Sequence, residues 1–435
     1  MNICMFTNTY LPHMGGVAKS VDSFARDLRA KGHKVLIISP TFSHKEQSSD
    51  EKDVLRVPAI QNFNGSDFSV SVPLPFIINN RINSFNPDLI HSHHPYLLGD
   101  AALRTAYRRN LPLVFTHHTL YEQYTHYVPM DSKIMKRLAV NLSTSYANHC
   151  DRVIAPSQSI ADLIAQRGVT ASIQVIPTGV DIDYFSSGDG AGFRRQHQIP
   201  ENVPVIGHLG RLAPEKNLEY LAEAMVLAFN KIPDKPRFLV VGSGPSKSRI
   251  REIFNKNGLS DQLILAGKQS GRDLADAYQA MDLFVFSSKS ETQGMVLTEA
   301  MAAGVPVIAL DASGAREVVQ DKYNGRLLDE NASPGMFAQA VADFFAEPEK
   351  AGAWEKAAFD TAREFSRQRS AQKLISTYQS VLKEQKQDKP AEENIPDGWD
   401  KLLLSLKTEW NMLSEKANAL IYAVQNKEIK DARKH

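Results

Sequence analysis

NICMFTNTYLPHMGGVAKSVDSFARDLRAKGHKVLIIS, residues Asn2–Ser39, decides the fold. It opens on an apolar run at Asn2–Thr7 and turns through Gly15-Gly16. Apolar residues then recur at three- and four-residue spacing over Val17–Ala30, and a second apolar run closes the stretch at Lys34–Ser39. Strand, helix and strand in so short a span predict a parallel βαβ unit. Glycines between the first strand and the helix let backbone amides approach an anion at a positive helix N-terminus, although a tight turn explains them equally well. No G-x-G-x-x-G is present, so this is not the dinucleotide fingerprint.

Outward from this unit the alternation continues. Asp88–His91 and Leu113–Thr116 read as strands that feed polar loops. The pattern lapses at Ser186–Pro204, SSGDGAGFRRQHQIPENVP, which reads as an inter-domain linker. A second series follows, with strands at Val205–Leu209, Arg237–Val241, Gln262–Ala266, Leu283–Ser287 and Val305–Leu310. The class is therefore α/β, with two Rossmann-like, doubly wound parallel-sheet domains facing across a cleft and a C-terminal helical extension. The expected bounds are 1–190 for the first domain and 191–365 for the second, followed by a helix at 366–384. A charged tether and amphipathic tail at 385–435 complete the chain.

The 435 residues carry a formal net charge of +1, which gives no global nucleic-acid signature. Two cysteines, Cys4 and Cys150, stand far apart in no ligand spacing, which argues against a disulfide scaffold and fits a reducing compartment. No signal peptide or 18-residue apolar span is legible, so a cytoplasmic setting with peripheral membrane contact is expected. In the tail, Trp399, Leu402, Leu406, Trp410, Leu413, Ala417, Leu420 and Val424 form one amphipathic stripe. Such a helix packs on the body or a twin chain, or docks on a membrane surface.

The chemistry-bearing residues fall at strand ends. GRLAPEKN, Gly210–Asn217, places Arg211 and Lys216 in one loop, suited to a diphosphate leaving group, although solvated surface charge is the alternative. VVGSGP, Val240–Pro245, borders a nucleotide or simply makes a turn. His91, His93 and His94 stand in DLIHSHHP and His117-His118 in FTHHT. H-x-H is a metal-like spacing, but no carboxylates accompany it, so hydrogen bonding to a polar substrate is favoured and no metal is assigned. Asp181 and Asp183 spell D-x-D away from any expected nucleotide strand and read as a chance match.

Glu291 and Glu299 stand eight apart in SETQGMVLTEAMAAGVPVIA, Ser290–Ala309. On one helix they would differ by about 80°, so they do not face each other. A helix beginning near Gly294 leaves Glu291 in the preceding loop, Glu299 on the helix, and the Met295 and Val296 amides at a phosphate-binding N-terminus.

Taken together, GGV, PDLIHSHHP, FTHHT, VIPTGVD, GRLAPEKN, VVGSGP and ETQGMVLTE, in that order, resemble glycosyltransferase family 4, retaining enzymes with the GT-B fold. The resemblance covers roughly Met1 to Lys383, and implies that 1–190 is the acceptor domain, 191–365 the nucleotide-sugar domain and 366–384 a crossover helix returning to the first domain. It implies that Arg211 and Lys216 stabilise the donor diphosphate with the Gly16 amide, and that Glu299 binds the ribose hydroxyls. Glu291 would contact the transferred sugar, the Met295 and Val296 amides would hold phosphate and sugar, and His118 would bind near the sugar's 6-hydroxyl. The family pattern uses no metal or cofactor, and the departing phosphate accepts the acceptor's proton.

HHTLYEQYTHYVPMDSKIMKRLAVNL is similar to the same region of diacylglycerol glucosyltransferases, and ETQG occurs among them where many other members have E-x-F-G. Lys133, Lys136 and Arg137 share one helical face that suits an anionic leaflet or simply lies in solvent. Tyr10, Tyr121 and Tyr124 are expected on the acceptor side. The expectation is a hexosyltransferase that moves glucose from a UDP-sugar to a membrane lipid such as diacylglycerol, forming an α-bond on the inner face of the cell membrane, with no nucleic-acid partner. Alternatives are a soluble or polysaccharide acceptor, a related-fold epimerase, and an inactive sugar-binding relative.

Overall fold

The computed structural model describes residues 1–12, 15–42, 53–60, 70–71, 75–120 and 133–387. The chain divides into two compact units. One comprises Met1–Pro177 together with the chain from Ser370, and the other Thr178–Arg369.

The first unit begins with the expected βαβ: β1 (Asn2–Phe6), α1 (Gly16–Ala30) and β2 (Lys34–Pro40). It continues with β3 (Val54–Val57), the short pair β4 (Ala59–Ile60) and β5 (Val70–Ser71), and α2 (Pro75–Phe85). Then come β6 (Leu89–Ser92), α3 (Leu98–Arg109), β7 (Leu113–Thr116), α4 (Lys133–Asn148), β8 (Arg152–Ala155), α5 (Gln158–Gln166) and β9 (Ile173–Val175). The main sheet is parallel, in the order β3-β2-β1-β6-β7-β8-β9. Both of its faces are covered, which is why β1 is an unbroken apolar run. Cys4 and Phe6 enter one hydrophobic cluster, while Ile3 and Met5 enter the other.

The second unit contains α6 (Ile182–Ser186), α7 (Gly190–Gln196), β10 (Val205–Leu209), α8 (Leu218–Phe229), β11 (Arg237–Val241), α9 (Lys247–Lys256), β12 (Leu263–Gly267) and α10 (Arg272–Gln279). After these come β13 (Leu283–Phe286), α11 (Met295–Ala302), β14 (Val307–Leu310), β15 (Gly325–Leu328), α12 (Pro334–Ala346) and α13 (Pro348–Glu364). Its parallel sheet runs β12-β11-β10-β13-β14-β15. Counted within the unit this is the order 3-2-1-4-5-6, which reverses direction between β10 and β13; ligands bind at such switch points. A last helix, α14 (Arg367–Gln387), opens in this unit and from Ser370 belongs to the first, where Leu374, Ile375, Tyr378 and Val381 join the core with Ile3 and Met5.

The glycine-rich stretch 186–204 is not a linker. Asp189 caps α7 by accepting the Gly192 amide proton, Phe193 and Ile199 are buried, and Arg194 donates to Ala280 O at 2.9 Å and to Asp282 at 2.9 Å. The glycines there serve close packing: a Cβ at Gly190 would stand 2.1 Å from Gln279 O. Composition resembled a tether because these small residues meet the α10 backbone. The junction between the units lies at Pro177/Thr178, earlier than the 190/191 expected from the glycine run. The helical run at the other end reaches Gln387, three residues into the expected tether. The tail stripe at 399–424 lies outside the described residues.

Candidate active site

The loops that follow β10, β13 and β14 converge because their strands are neighbours. After β10, residues Pro214–Lys216 make one turn of 3-10 helix, and Asn217 in the left-handed region leads into α8. After β13, the buried Ser287 hydroxyl reaches the carbonyls of Lys216 and Asn217 at 3.1 and 3.0 Å, and Ser290 Oγ donates to Glu215 O at 3.3 Å. After β14, Gly314 packs so closely that a Cβ would lie 2.8 Å from Glu291 Cβ. Glu291 is thereby fixed by three loops.

Within this constellation Lys216 Nζ donates to Glu291 Oε1 and Arg211 donates to Glu215 Oε1. The Lys216 and Glu291 side chains are only 13% and 22% exposed. The helix α11 starts where the sequence placed it, with Gly294 in the left-handed region (φ 72°) at its N-cap. A glycine cap offers no side-chain acceptor, so the Met295 and Val296 amides stand at a helix N-terminus that its cap does not neutralise. The run AMAAG then makes sense: α11 is buried from Leu297 to Ala302, and Gly304 (φ 79°) ends it as the chain turns back toward β14.

Glu299 lies on the buried side of α11, 6% exposed, and accepts a hydrogen bond from Tyr278 Oη at 2.8 Å. Burial and the neighbouring carboxylate push the Tyr278 phenol well above its ordinary range, so it remains a donor. Gln293, the glutamine of ETQG, marks a likeness in the sequence but is given no role there. It is 5% exposed, and its amide pairs with the Thr178 backbone, accepting from N and donating to O, both at 2.8 Å. His208 is also a site neighbour that motif reading passes over. Its Nδ1–H donates to Val285 O at 3.1 Å, and burial lowers its pKa to about 4.

The glycines of VVGSGP have a packing reason. A Cβ at Gly242 would stand 1.9 Å from Gly210 O, and one at Gly244 2.3 Å from Leu212 O. Leu212 N donates to Ser243 O at 2.9 Å, so this turn props the Arg211 loop. Asp181 of the D-x-D caps α6 and pairs with Arg367 at 2.6 Å, a structural employment.

In the first unit the histidines gather at the ends of β6 and β7. His91 hydrogen-bonds with Tyr378 Oη at 2.6 Å and Thr116 Oγ1 at 2.7 Å. His93 Nδ1 lies 2.9 Å from His118 Nε2, and His94 Nδ1 accepts the Asn8 amide proton at 3.1 Å. Burial lowers His91 and His94 to about 3 and holds His93 and His118 well below the usual imidazole range, so the cluster is neutral. Among the described residues no three His, Cys, Asp or Glu side chains are grouped to hold a metal ion. Gly15 is the N-cap of α1, and a Cβ at Gly16 would meet nothing within 4 Å.

Tyr10, expected on the acceptor side, is a core residue. It is 5% exposed, donates to Asp22 Oδ1 at 3.1 Å and lies under the Arg56 guanidinium. Tyr121, Tyr124 and the Lys133 side chain lie outside the described residues. Lys136 on α4 is exposed and Arg137 half-buried. No helix among the described residues is long and apolar enough to cross a membrane.

The chain is similar to known proteins in sequence and in fold. Residues 14–184 match the model of Glycosyltransferase Family 4 and residues 191–361 that of Glycosyl transferases group 1. Alpha-monoglucosyldiacylglycerol synthase of Streptococcus pneumoniae is 28% identical over 342 residues, covering 75% of each chain. GDP-mannose-dependent alpha-mannosyltransferase of Mycolicibacterium smegmatis is 31% identical over 356 residues, covering 81% of this chain and 91% of that one. Among solved structures, sucrose-phosphate synthase from Thermosynechococcus elongatus superposes with a TM-score of 0.72 at 21% identity, covering 88% of this chain and 99% of that chain. The protein is a glycosyltransferase with the GT-B fold. It belongs to glycosyltransferase family 4 and has glycolipid synthases among its relatives.

Proposed function

We propose that the protein is a retaining glucosyltransferase that moves glucose from UDP-glucose to a membrane diacylglycerol, forming an α-glycosidic bond. The observation that carries the donor half is the convergence of Arg211, Lys216, Glu291 and the α11 N-terminus at the β10/β13 switch point. Arg211, Lys216 and the Gly16, Met295 and Val296 amides hold the diphosphate and stabilise the charge that develops on it, so the reaction uses no metal. Glu299 binds the ribose hydroxyls, Glu291 a hydroxyl of the sugar, and His118 the sugar near its 6-position. The bond from the anomeric carbon to the diphosphate breaks while the acceptor oxygen bonds on the same face. The acceptor's proton passes to the departing phosphate.

The lipid half rests on the likeness to the Streptococcus pneumoniae synthase and on the exposed Lys136 beside Arg137 on α4. Such a face is attracted to an anionic leaflet, on the cytoplasmic side in this reading. Incubation with labelled UDP-glucose and diacylglycerol vesicles, with EDTA present, is expected to yield a monoglucosyl lipid. Absence of any lipid product sinks the acceptor assignment. Flotation with anionic liposomes is expected to carry the protein, and Lys136→Glu with Arg137→Glu to weaken that binding.

A second reading is a GDP-mannose-dependent mannosyltransferase, favoured by the 31% identity to the Mycolicibacterium smegmatis enzyme. The same assay with GDP-mannose decides between the two.

A further inference from the structure

Three imidazoles pack together at the ends of β6 and β7. The rings of His91 and His93 lie 4.1 Å apart between centroids, and those of His93 and His118 lie 5.2 Å apart at 25°. Across the 2.9 Å contact between His93 Nδ1 and His118 Nε2, one nitrogen donates and the other accepts. The far side of His93 decides which. Its Nε2 is buried with no hydrogen-bond partner among the described residues. Were His118 the donor, neutral His93 would carry its proton on Nε2, a buried N–H with nothing to receive it, and folded proteins rarely tolerate that arrangement. With the proton on His93 Nδ1, only a lone pair faces the sealed side. His91 cannot relieve His93, because both its nitrogens are engaged by Tyr378 and Thr116.

We propose that His93 is a positioning residue that fixes His118 in its Nδ1–H tautomer, so that His118 offers an N–H donor to a hydroxyl oxygen of the transferred sugar. The proposal deepens the reading of His118 as a sugar contact and, in its functional half, rests on it. Two neutral rings in contact can hold either tautomer in water; here the sealed nitrogen of the first dictates the proton of the second. Asn8 sets the adjacent His94 the other way, by donating its amide proton to His94 Nδ1. His93, His94 and His118 therefore each hold one defined tautomer.

The test is nitrogen-15 NMR of the full chain labelled at histidine, with the His118 resonances identified by their loss in His118→Gln. Wild type is expected to show His118 protonated at Nδ1 and bare at Nε2. His93→Leu is expected to mix the tautomers, and His93→Asn, whose amide nitrogen overlies Nδ1 and donates, to restore the first. In turnover, His93→Leu is expected to lower kcat/KM for UDP-glucose about tenfold, roughly the value of one neutral hydrogen bond, with most regained in His93→Asn. With a UDP-6-deoxyglucose donor, His93→Leu and wild type are expected to match. His118 protonated at Nε2 in the wild type, or unmoved in His93→Leu, overturns the proposal, and the first of these outcomes needs only His118→Gln, not His93→Leu, to fold. The expected spectra with equal losses on both donors would instead remove His118 from the sugar and overturn the functional half alone.

Discussion

Tyr278 donates its hydroxyl to Glu299 Oε2 at 2.8 Å, with both side chains buried. The ring is packed edge-on against Phe185 at 5.5 Å and tilted against Phe284 at 5.9 Å. Tyr278→Phe keeps that packing and removes one hydrogen bond to a carboxylate, worth about 1.5–3 kcal/mol. The expected result is a several-fold rise in the donor KM with kcat within twofold of wild type. A donor titration checks it, and an unchanged KM would show that Glu299 needs no help in presenting itself to the ribose.

The two glutamates are expected to separate in kinetics. Glu299→Ala weakens donor binding, whereas Glu291→Ala, which also frees Lys216 from its pair, chiefly lowers turnover. Nucleotide-sugar titration by calorimetry beside steady-state rates distinguishes them. Equal, small effects in both measurements would contradict the division of roles.

Two glycines provide a contrast between fold and chemistry. Gly242→Ala sets a Cβ 1.9 Å from Gly210 O at a φ of 141°, and is expected to cost about 3 kcal/mol or more. Gly16→Ala meets nothing within 4 Å, so thermal stability should hold within about 0.5 kcal/mol. Donor affinity should nonetheless fall if a phosphate approaches the Gly16 amide. Melting curves with and without UDP-glucose read both effects.

Gln293→Leu removes two hydrogen bonds to the Thr178 backbone at a buried site. A loss of about 2–4 kcal/mol is expected, taking about 1–2 kcal/mol for each. Urea unfolding measures it, and a loss under 0.5 kcal/mol would mean that water replaces the amide freely.

Acid should destabilise the protein before its carboxylates titrate. His91 and His94 have pKa values of about 3 and His208 about 4 because burial disfavours their charge. Their folded values lie below the unfolded value near 6.5, so the stability they contribute is present above that pH and is lost as pH falls toward 3–4. Each proton taken up only by the unfolded chain contributes about 1.4 kcal/mol per pH unit. Asp151, raised by burial, acts in the opposite sense nearer the carboxylate range. Urea midpoints at pH 7, 6 and 5 should fall progressively, and a flat profile would show that the histidines are not held neutral.

The strands were legible where both faces are buried, because nothing but an apolar run can occupy such a strand: Leu113–Thr116, Val205–Leu209 and Arg237–Val241 stand at the bounds read from sequence. The edge strands Val54–Val57 and Ile173–Val175 were not, since half-buried edges carry arginine and glutamine. Arg211, Lys216, Glu291 and Glu299 could be found by motif, and the structure brings the first three together on the two loops after β10 and β13. Their supports could not. Tyr278 and Gln293 act through contacts that close only in the fold, from residues 21 and 115 positions away in sequence. The ETQG signature is a case in point, since its glutamine holds the Thr178 backbone, a contact that composition and spacing cannot show.

Arg211 is matched with Glu215 and Lys216 with Glu291, so these four groups sum to no net charge. The surface is therefore no sponge for anions. A phosphate arriving alone must take each cation from its carboxylate and leave that carboxylate stranded, partly out of water. A molecule that carries hydroxyls beside its phosphates gives every displaced group a new partner. Under the proposed function, this neutrality is a form of discrimination: it favours the ligand that is anion and polyol at once over the many cellular anions that are only the first.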